Sequence, residues 1–209
     1  MTAGSAAVAK DSPPVFNNIL AYKDEVVPWM RELVDECHGH GAAVMIQLTH
    51  LGRRTRWDKA DWLPVVAPTH VREPAHRAFP KLVEDWDIAR ITRDFADAAE
   101  RMKAAGVDGV EFESFGHLLS QFWSPMSNHL CNEYGGSLEN RMRFPLQVFE
   151  AVRAAVPASI PVGLRLSATD WVDGGWDPAQ SLVFARELQA RGLSFLHVSS
   201  GGVSPQQKI

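Results

Sequence analysis

Cysteine is scarce in this sequence, and positive charge is not in excess. The 209 residues include only two cysteines, Cys37 and Cys131, whose wide separation excludes a disulfide framework and a metal site of closely spaced thiolates. The net charge of -4 provides no basic surface of the kind that binds nucleic acid. No apolar run approaches the roughly 18 residues that cross a bilayer, and the amino-terminal residues lack the regions of a signal peptide. We therefore expect a cytoplasmic protein without metal, nucleic-acid or membrane partners.

Helical and strand-like segments alternate along the chain. Apolar residues recur at three- and four-residue spacing in the helical segments, whereas the strand-like segments are short continuous apolar runs. The predicted helices are 26–37, 85–105, 137–156 and 177–192, and the predicted strands are 42–48, 107–113, 161–167 and 193–202. Between them, residues 51–84 carry several prolines and no sustained period, which predicts a long loop with little regular structure. This order indicates an α/β fold with a parallel sheet.

The ends of the strands favour a closed barrel over an open doubly wound sheet. The sequence has no G-x-G-x-x-G string, which a dinucleotide-binding sheet would carry after its first strand. Each predicted strand instead ends in polar residues, as in TIM (β/α)₈ barrels, whose sites form at the carboxyl ends of many strands. Only four clear strands and one candidate at the amino terminus are present, so we expect an incomplete barrel. Residues 1–209 would form this single partial domain.

Three stretches carry a resemblance to a known family. They are MIQLTHLGRR (45–54), LLSQFWSPMSNHLCNEYGGSLENRMRF (118–144) and VGLRLSATDWVDGG (162–175). In this order they resemble the motifs of the Old Yellow Enzyme family of flavin oxidoreductases. The resemblance implies an FMN-binding TIM barrel of which about strands 2–6 are present. It also implies that the flavin phosphate site, and the iron-sulfur cluster of some members, lie outside this chain.

The resemblance also assigns cofactor-binding residues. Gln47 matches the glutamine that hydrogen-bonds the flavin ring, for which a carboxamide offers both a donor and an acceptor. Arg165 matches the arginine beside the flavin, where a fixed cation stabilises the anionic reduced ring. Ala3 matches a small residue close to the ring.

The fourth strand departs from the family pattern. Ene-reductases of the family place a pair of hydrogen-bond donors and a tyrosine here, but this chain has Glu113 at the first donor position and His117 near the tyrosine position. An ionised carboxylate accepts hydrogen bonds and cannot donate them, so Glu113 favours a cationic amine as substrate. We therefore predict oxidative demethylation of an N-methylated amine or amino acid, with Glu113 holding the ammonium group and His117 accepting a proton.

Several alternatives remain open from the sequence. The aromatic residues Trp57, Trp62, Phe122 and Trp123 would either surround the cation or simply pack in the core. The chain could belong to an NAD(P)H-dependent ene-reductase or a dienoyl-CoA reductase-like enzyme, or be an inactive fragment of such a protein. The substrate is expected to be a small molecule in each active case, and homo-oligomerisation is left open.

Overall fold

The structure is a computed structural model that describes residues 1–12, 19–56, 62–73 and 78–208. Its strands are β1 (Thr2–Ala7), β2 (Ile19–Leu20), β3 (Met45–Thr49), β4 (Val66–Ala67), β5 (Lys81–Leu82), β6 (Gly109–Glu113), β7 (Val162–Ser167) and β8 (Phe195–Ser199). Its helices are α1 (Val26–Gly39), α2 (Asp85–Ala105), α3 (Leu118–Trp123), α4 (Leu138–Ala155) and α5 (Pro178–Ala190). None of the helices in these ranges combines the length and the apolar character that crossing a bilayer requires.

Six strands form one parallel sheet in the order β2-β1-β3-β6-β7-β8. Along the chain, β3 follows α1, β6 follows α2, β7 follows α4 and β8 follows α5. These helices are the crossover connections that parallel strands require. The sequence-based prediction of an alternating α/β fold with a parallel sheet is therefore confirmed. The carboxyl ends of all these strands lie at the same edge, so side chains there are brought together.

One face of the sheet is covered by helices and forms the hydrophobic core. Side chains alternate between the two faces of a strand, and the core-facing set includes Ile46, Leu48, Val110, Phe112, Val162 and Leu164, all buried. Phe112 lies between Phe95 of α2 and Phe149 of α4, with ring centroids 5.8 and 6.0 Å apart. The opposite face is therefore the one that carries polar groups.

Local signals fix where the helices begin and end. The side chain of Ser137 accepts a hydrogen bond from the main-chain N–H of Asn140 at the start of α4, and Asp177 does the same for Gln180 before α5. Gly106 ends α2 with a φ of 91°, which a residue without a Cβ adopts at no steric cost.

The predicted loop at 51–84 contains three short regular elements in its described part. Gly52–Arg54 form a 3₁₀ turn, and β4 and β5 pair as two short parallel strands. Two-residue strands carry no detectable hydrophobic period, so the sequence-based prediction missed them. Residues 57–61 and 74–77 of this segment lie outside the described residues.

The side chain of Asp108 links β3 and β6 at their amino ends, opposite to the polar strand ends. Its carboxylate accepts hydrogen bonds from the main-chain N–H of Val44 at 2.6 Å and from His38 Nε2 at 2.8 Å. Its own N–H donates to the main-chain oxygen of Val44 at 2.8 Å. The hydrogen bond from His38 and then that from Val44 hold the pKa of Asp108 below its usual range. This side chain fixes the start of β6 against the start of β3.

Candidate active site

Five polar side chains share the sheet face opposite to the helices. Register pairs Gln47 with Glu111, and Glu113 with Arg165 and then His197. Because paired residues in parallel strands point to the same face and alternate residues along a strand do too, all five project from that face. Three of them, Gln47, Glu113 and Arg165, were predicted site residues, and the structure brings them together.

Glu113 and Arg165 form an ion pair at the carboxyl ends of β6 and β7. Glu113 Oε2 lies 2.8 Å from Nη1 of Arg165, and its other oxygen accepts the main-chain N–H of Phe115 at 2.9 Å. The carboxylate is buried, and the guanidinium is about one-third exposed. The pair leaves the Glu113 carboxylate able to accept further hydrogen bonds, since a carboxylate offers about four lone-pair sites.

Glu111 orients the carboxamide of Gln47. The Gln47 side-chain nitrogen donates to Glu111 Oε2, which leaves the Gln47 oxygen as an acceptor for another group. The other Glu111 oxygen lies 3.4 Å from Nδ1 of His197. Sequence reasoning did not select Glu111 or His197 as site residues. Glu111 is two residues before Glu113, and His197 is in register with Arg165, so both lie on this face.

His117 is held beside the strand ends by Thr49. The Thr49 hydroxyl lies 2.8 Å from His117 Nδ1 and donates to the main-chain oxygen of Glu113 at 3.3 Å. Burial, followed by the positive charge of Arg54, lowers the pKa of His117 to about 3. The imidazole is therefore neutral at physiological pH, which makes it a hydrogen-bonding group and a weak proton acceptor.

Ala3 lies apart from the other predicted cofactor residues. It is in register with Ile46, on the helix-facing side of β1, and packs against the core. The residue beside Gln47 is Gly4, where an added Cβ would lie 2.7 Å from the Gln47 Cβ. A role of Ala3 at the cofactor stays a prediction.

The aromatic residues that the sequence suggested around a cation have different positions. Phe122 and Trp123 are fully buried in α3, and Phe122 packs against Phe144 at 4.3 Å between ring centroids. Trp62 is exposed, and Trp57 lies outside the described residues. The core-packing alternative is therefore confirmed for Phe122 and Trp123.

Phe115 is the aromatic residue that meets cations at the strand ends. The guanidinium carbons of Arg165 and Arg54 lie 5.7 and 5.9 Å from its ring centroid. This distance is within the range of a cation–π contact. Sequence reasoning did not predict the position of Arg54, because Arg54 follows β3 in a 3₁₀ turn rather than belonging to a strand.

Comparison with known proteins decides the family. The sequence profile of the NADH:flavin oxidoreductase / NADH oxidase family matches residues 1–203. The chain belongs to this family. Its resemblance to the Old Yellow Enzyme group is thereby confirmed.

Among the curated relatives of this flavin oxidoreductase chain, two carry demethylase names. A probable N-methylproline demethylase of Rhizobium meliloti (strain 1021) is 61% identical over 97% of this chain and 30% of the relative. A multifunctional alkene reductase/demethylase of Caballeronia cordobensis is 43% identical over 100% of this chain and 31% of the relative. The chain thus spans about 30% of the length of the curated relatives that it matches.

Solved structures confirm that the fold is part of a TIM barrel. Morphinone reductase in complex with tetrahydroNAD superposes with a TM-score of 0.86 at 28% identity, over 94% of this chain and 60% of that one. A 2-naphthoyl-CoA reductase superposes with a TM-score of 0.89 at 22% identity, over 96% of this chain and 32% of that one, and shows the fold alone. The six-stranded parallel sheet is accordingly a partial barrel.

The polar face of the sheet fits the FMN after which the family is named. Nε of Arg165 is buried and has no hydrogen-bond partner within the described part of the chain. A buried donor without a partner is costly, and an acceptor on a bound ring would satisfy it. The free carboxamide oxygen of Gln47 lies on the same face and would accept from a ring N–H. The residues present therefore suit the ring portion of a flavin.

Proposed function

We propose that this chain forms the flavin-ring and substrate region of an FMN-dependent oxidoreductase that demethylates an N-methylated amino acid. The observation that carries the proposal is the buried carboxylate of Glu113 at the end of β6, where an ene-reductase of the family would offer a donor. The names of two relatives, a probable N-methylproline demethylase and an N,N-dimethylglycine/sarcosine dehydrogenase of Chromohalobacter salexigens at 43% identity, support this substrate class.

Gln47 and Arg165 are the residues that would hold the flavin ring. Bound FMN would supply a hydride acceptor, so that the N-methyl carbon of the substrate is oxidised and hydrolysis then releases it as formaldehyde. Arg165 places a fixed positive charge on the polar face, which favours an anionic partner. Ala3 is in register with core-facing Ile46, on the other face of the sheet, so this proposal assigns it no contact with the ring.

Glu113 would bind and orient the substrate ammonium group. The carboxylate is fixed by Arg165 and by the main-chain N–H of Phe115, so its position does not depend on the substrate. A fixed acceptor next to the reacting carbon lowers the entropic cost of reaching the reactive geometry. Because the pKa of His117 is lowered to about 3, we assign His117 hydrogen bonding to the substrate rather than proton acceptance.

A second candidate function is NAD(P)H-dependent alkene reduction. It is favoured by the relative from Caballeronia cordobensis, whose name combines alkene reductase and demethylase activities. In that case NAD(P)H would be the electron donor, and the neutral His117 would provide a hydrogen bond to the substrate. An iron-sulfur cluster would belong to a region outside this chain. A cytoplasmic location, homo-oligomer formation and an inactive-fragment state also remain proposals.

Steady-state assays of the flavin-loaded holoenzyme separate the candidates. We expect turnover of N-methylproline or dimethylglycine with formaldehyde release, and weak turnover of cyclohexenone. The Glu113→Gln variant should lower kcat/KM for the amino acid by roughly 10- to 100-fold, since it removes one charge-assisted contact. The exposed Glu139 supplies the matched control, because Glu139→Gln makes the same chemical change away from the site. Turnover of the enone alone would contradict the demethylase proposal.

An FMN titration tests whether this chain alone retains the cofactor. A shifted, bound-flavin absorption spectrum after addition of FMN is expected if Gln47 and Arg165 contribute most of the ring contacts. A folded protein that leaves the FMN spectrum unchanged would support the inactive-fragment alternative for the isolated chain.

A further inference from the structure

A small cavity is lined by Phe115, whose main-chain N–H contacts Glu113, and by Arg54. Its volume is about 230 Å³, and its walls include Arg54, Glu73, Phe115, Gly202 and Gln207. This volume equals that of roughly seven or eight water molecules at about 30 Å³ each, which suits a small amino acid. Phe115 belongs both to the cavity wall and to the cation contacts of the active site.

Arg54 is fixed at this cavity by neutral groups. Its Nη1 donates to the main-chain oxygens of Phe115 at 3.0 Å and Gly202 at 3.3 Å. Within the described ranges, no carboxylate forms an ion pair with Arg54. A guanidinium has five N–H donors in a fixed fork, so donors remain for a ligand. A carboxylate accepts such a fork through two parallel hydrogen bonds.

The residues that line this cavity include Arg54 but neither of the neighbouring arginines, Arg53 and Arg165. Arg165 is paired with Glu113 at 2.8 Å. Arg53 is buried, and it donates to the main-chain oxygens of Val203 at 3.3 Å and Val71 at 3.4 Å. Arg54 is therefore the cation that a ligand in this cavity would meet.

Glu113 and Arg54 both contact the main chain of Phe115. Glu113 accepts the N–H of Phe115 at 2.9 Å, and Arg54 donates to the C=O of the same residue at 3.0 Å. The negative and the positive group therefore each lie within hydrogen-bond distance of one residue, Phe115. A free α-amino acid carries one ammonium and one carboxylate group, which are the complements of these two charges.

We propose that Arg54 binds the carboxylate of the substrate while Glu113 binds its ammonium group, so that the site selects zwitterionic N-methyl amino acids over simple N-methyl amines. This inference rests on the proposed function for the identity of the substrate. It adds a residue for the second charge of that substrate, and it assigns the selectivity to the Glu113–Arg54 pair.

A binding experiment on the oxidised holoenzyme tests the subsite without turnover. The probes are pyrrole-2-carboxylate and the neutral pyrrole-2-carboxamide, measured by calorimetry. We expect the carboxylate to bind roughly 10- to 100-fold more tightly than the amide, and Arg54→Gln to remove most of that ratio. The control Arg93→Gln changes an exposed arginine of α2 and should retain the ratio. Equal binding of both probes to the unmodified enzyme, or an unchanged ratio in Arg54→Gln, would overturn the proposal.

A second variant covers the structural role of Arg54. Arg54→Lys keeps the charge and one main-chain contact but loses the planar fork, so the ratio should fall to an intermediate value. If Arg54→Gln no longer retains flavin, this variant decides the test, and an unchanged ratio in it overturns the proposal. A ratio that depends on Arg54, together with no oxidation of N-methylproline, would refute the proposed function while leaving the carboxylate subsite supported. Oxidation of N-methylproline, together with a ratio that does not depend on Arg54, would refute the carboxylate subsite while leaving the proposed function supported.

Discussion

Gly116 is the position where a single methyl group should disturb the candidate site most directly. Its φ of +69° lies in the left-handed region, which costs a residue with a Cβ about 1–2 kcal/mol. An added Cβ would also lie 2.5 Å from Nη1 of Arg54 and closer still to the main-chain oxygen of Gly202. Overpacking of this kind typically costs about 1–3 kcal/mol. We therefore expect Gly116→Ala to lower the free energy of unfolding by about 2–5 kcal/mol.

Gly136 provides a control with nearly the same backbone. Its φ is +78°, but an added Cβ would meet nothing within 4 Å. Gly136→Ala should therefore cost only the left-handed term of about 1–2 kcal/mol. Both variants would be compared by urea unfolding of the holoenzyme, followed by tryptophan fluorescence, and by flavin content. Equal destabilisation by the two substitutions would refute the packing of Gly116 against Arg54 and Gly202.

Two further predictions concern the core and the pH dependence of stability. Phe112→Ala should lower the free energy of unfolding by about 3–5 kcal/mol, because Phe112 is buried between two aromatic rings. The control Phe79→Ala, at an exposed position, should change it by less than about 0.5 kcal/mol. A similar loss in both urea midpoints would contradict the core assignment. The pKa of His117 falls from 6.5 to about 3 on folding. Between these two pH values the unfolded chain binds a proton that the folded chain does not, so the free energy of unfolding decreases as pH falls from about 6.5 towards 3. His117→Gln should reduce the loss of stability between pH 7 and pH 5 by about 1–2 kcal/mol. An unaltered pH dependence in His117→Gln would show that His117 is not held neutral.

The longer elements of the fold could be predicted because several local signals agree. Apolar periodicity and Gly106 fixed both ends of α2 at the predicted residues, and Asp177 followed by Pro178 fixed the start of α5. Helix α3 was missed because its six residues are all buried and show no polar face. Strands of two residues such as β2 give no period at all.

The candidate site could be predicted only as far as strand alternation and family motifs reach. Gln47, Glu113 and Arg165 lie in the long, regular strands β3, β6 and β7, and the structure places them on one face. The position of Ala3 could not be derived, since a register shift between Ala3 and Ala6 changes the pairing of β1 with β3. The contacts of Arg54 and Gly202 could not be derived either, because they join loops about 148 residues apart in sequence.

The hydrogen bonds of Asp108 determine at which end of the strands related sequences can differ without loss of stability. Asp108 links β3 and β6 at their amino ends, whereas Glu113, Arg54 and His117 lie at or beyond their carboxyl ends. Substitutions that adapt the enzyme to new substrates can therefore accumulate at one end of the strands without weakening the link at the other. In a library of random variants, changes at Asp108 should appear among the clones with low protein yield, and changes at Arg54 among those with altered substrate preference.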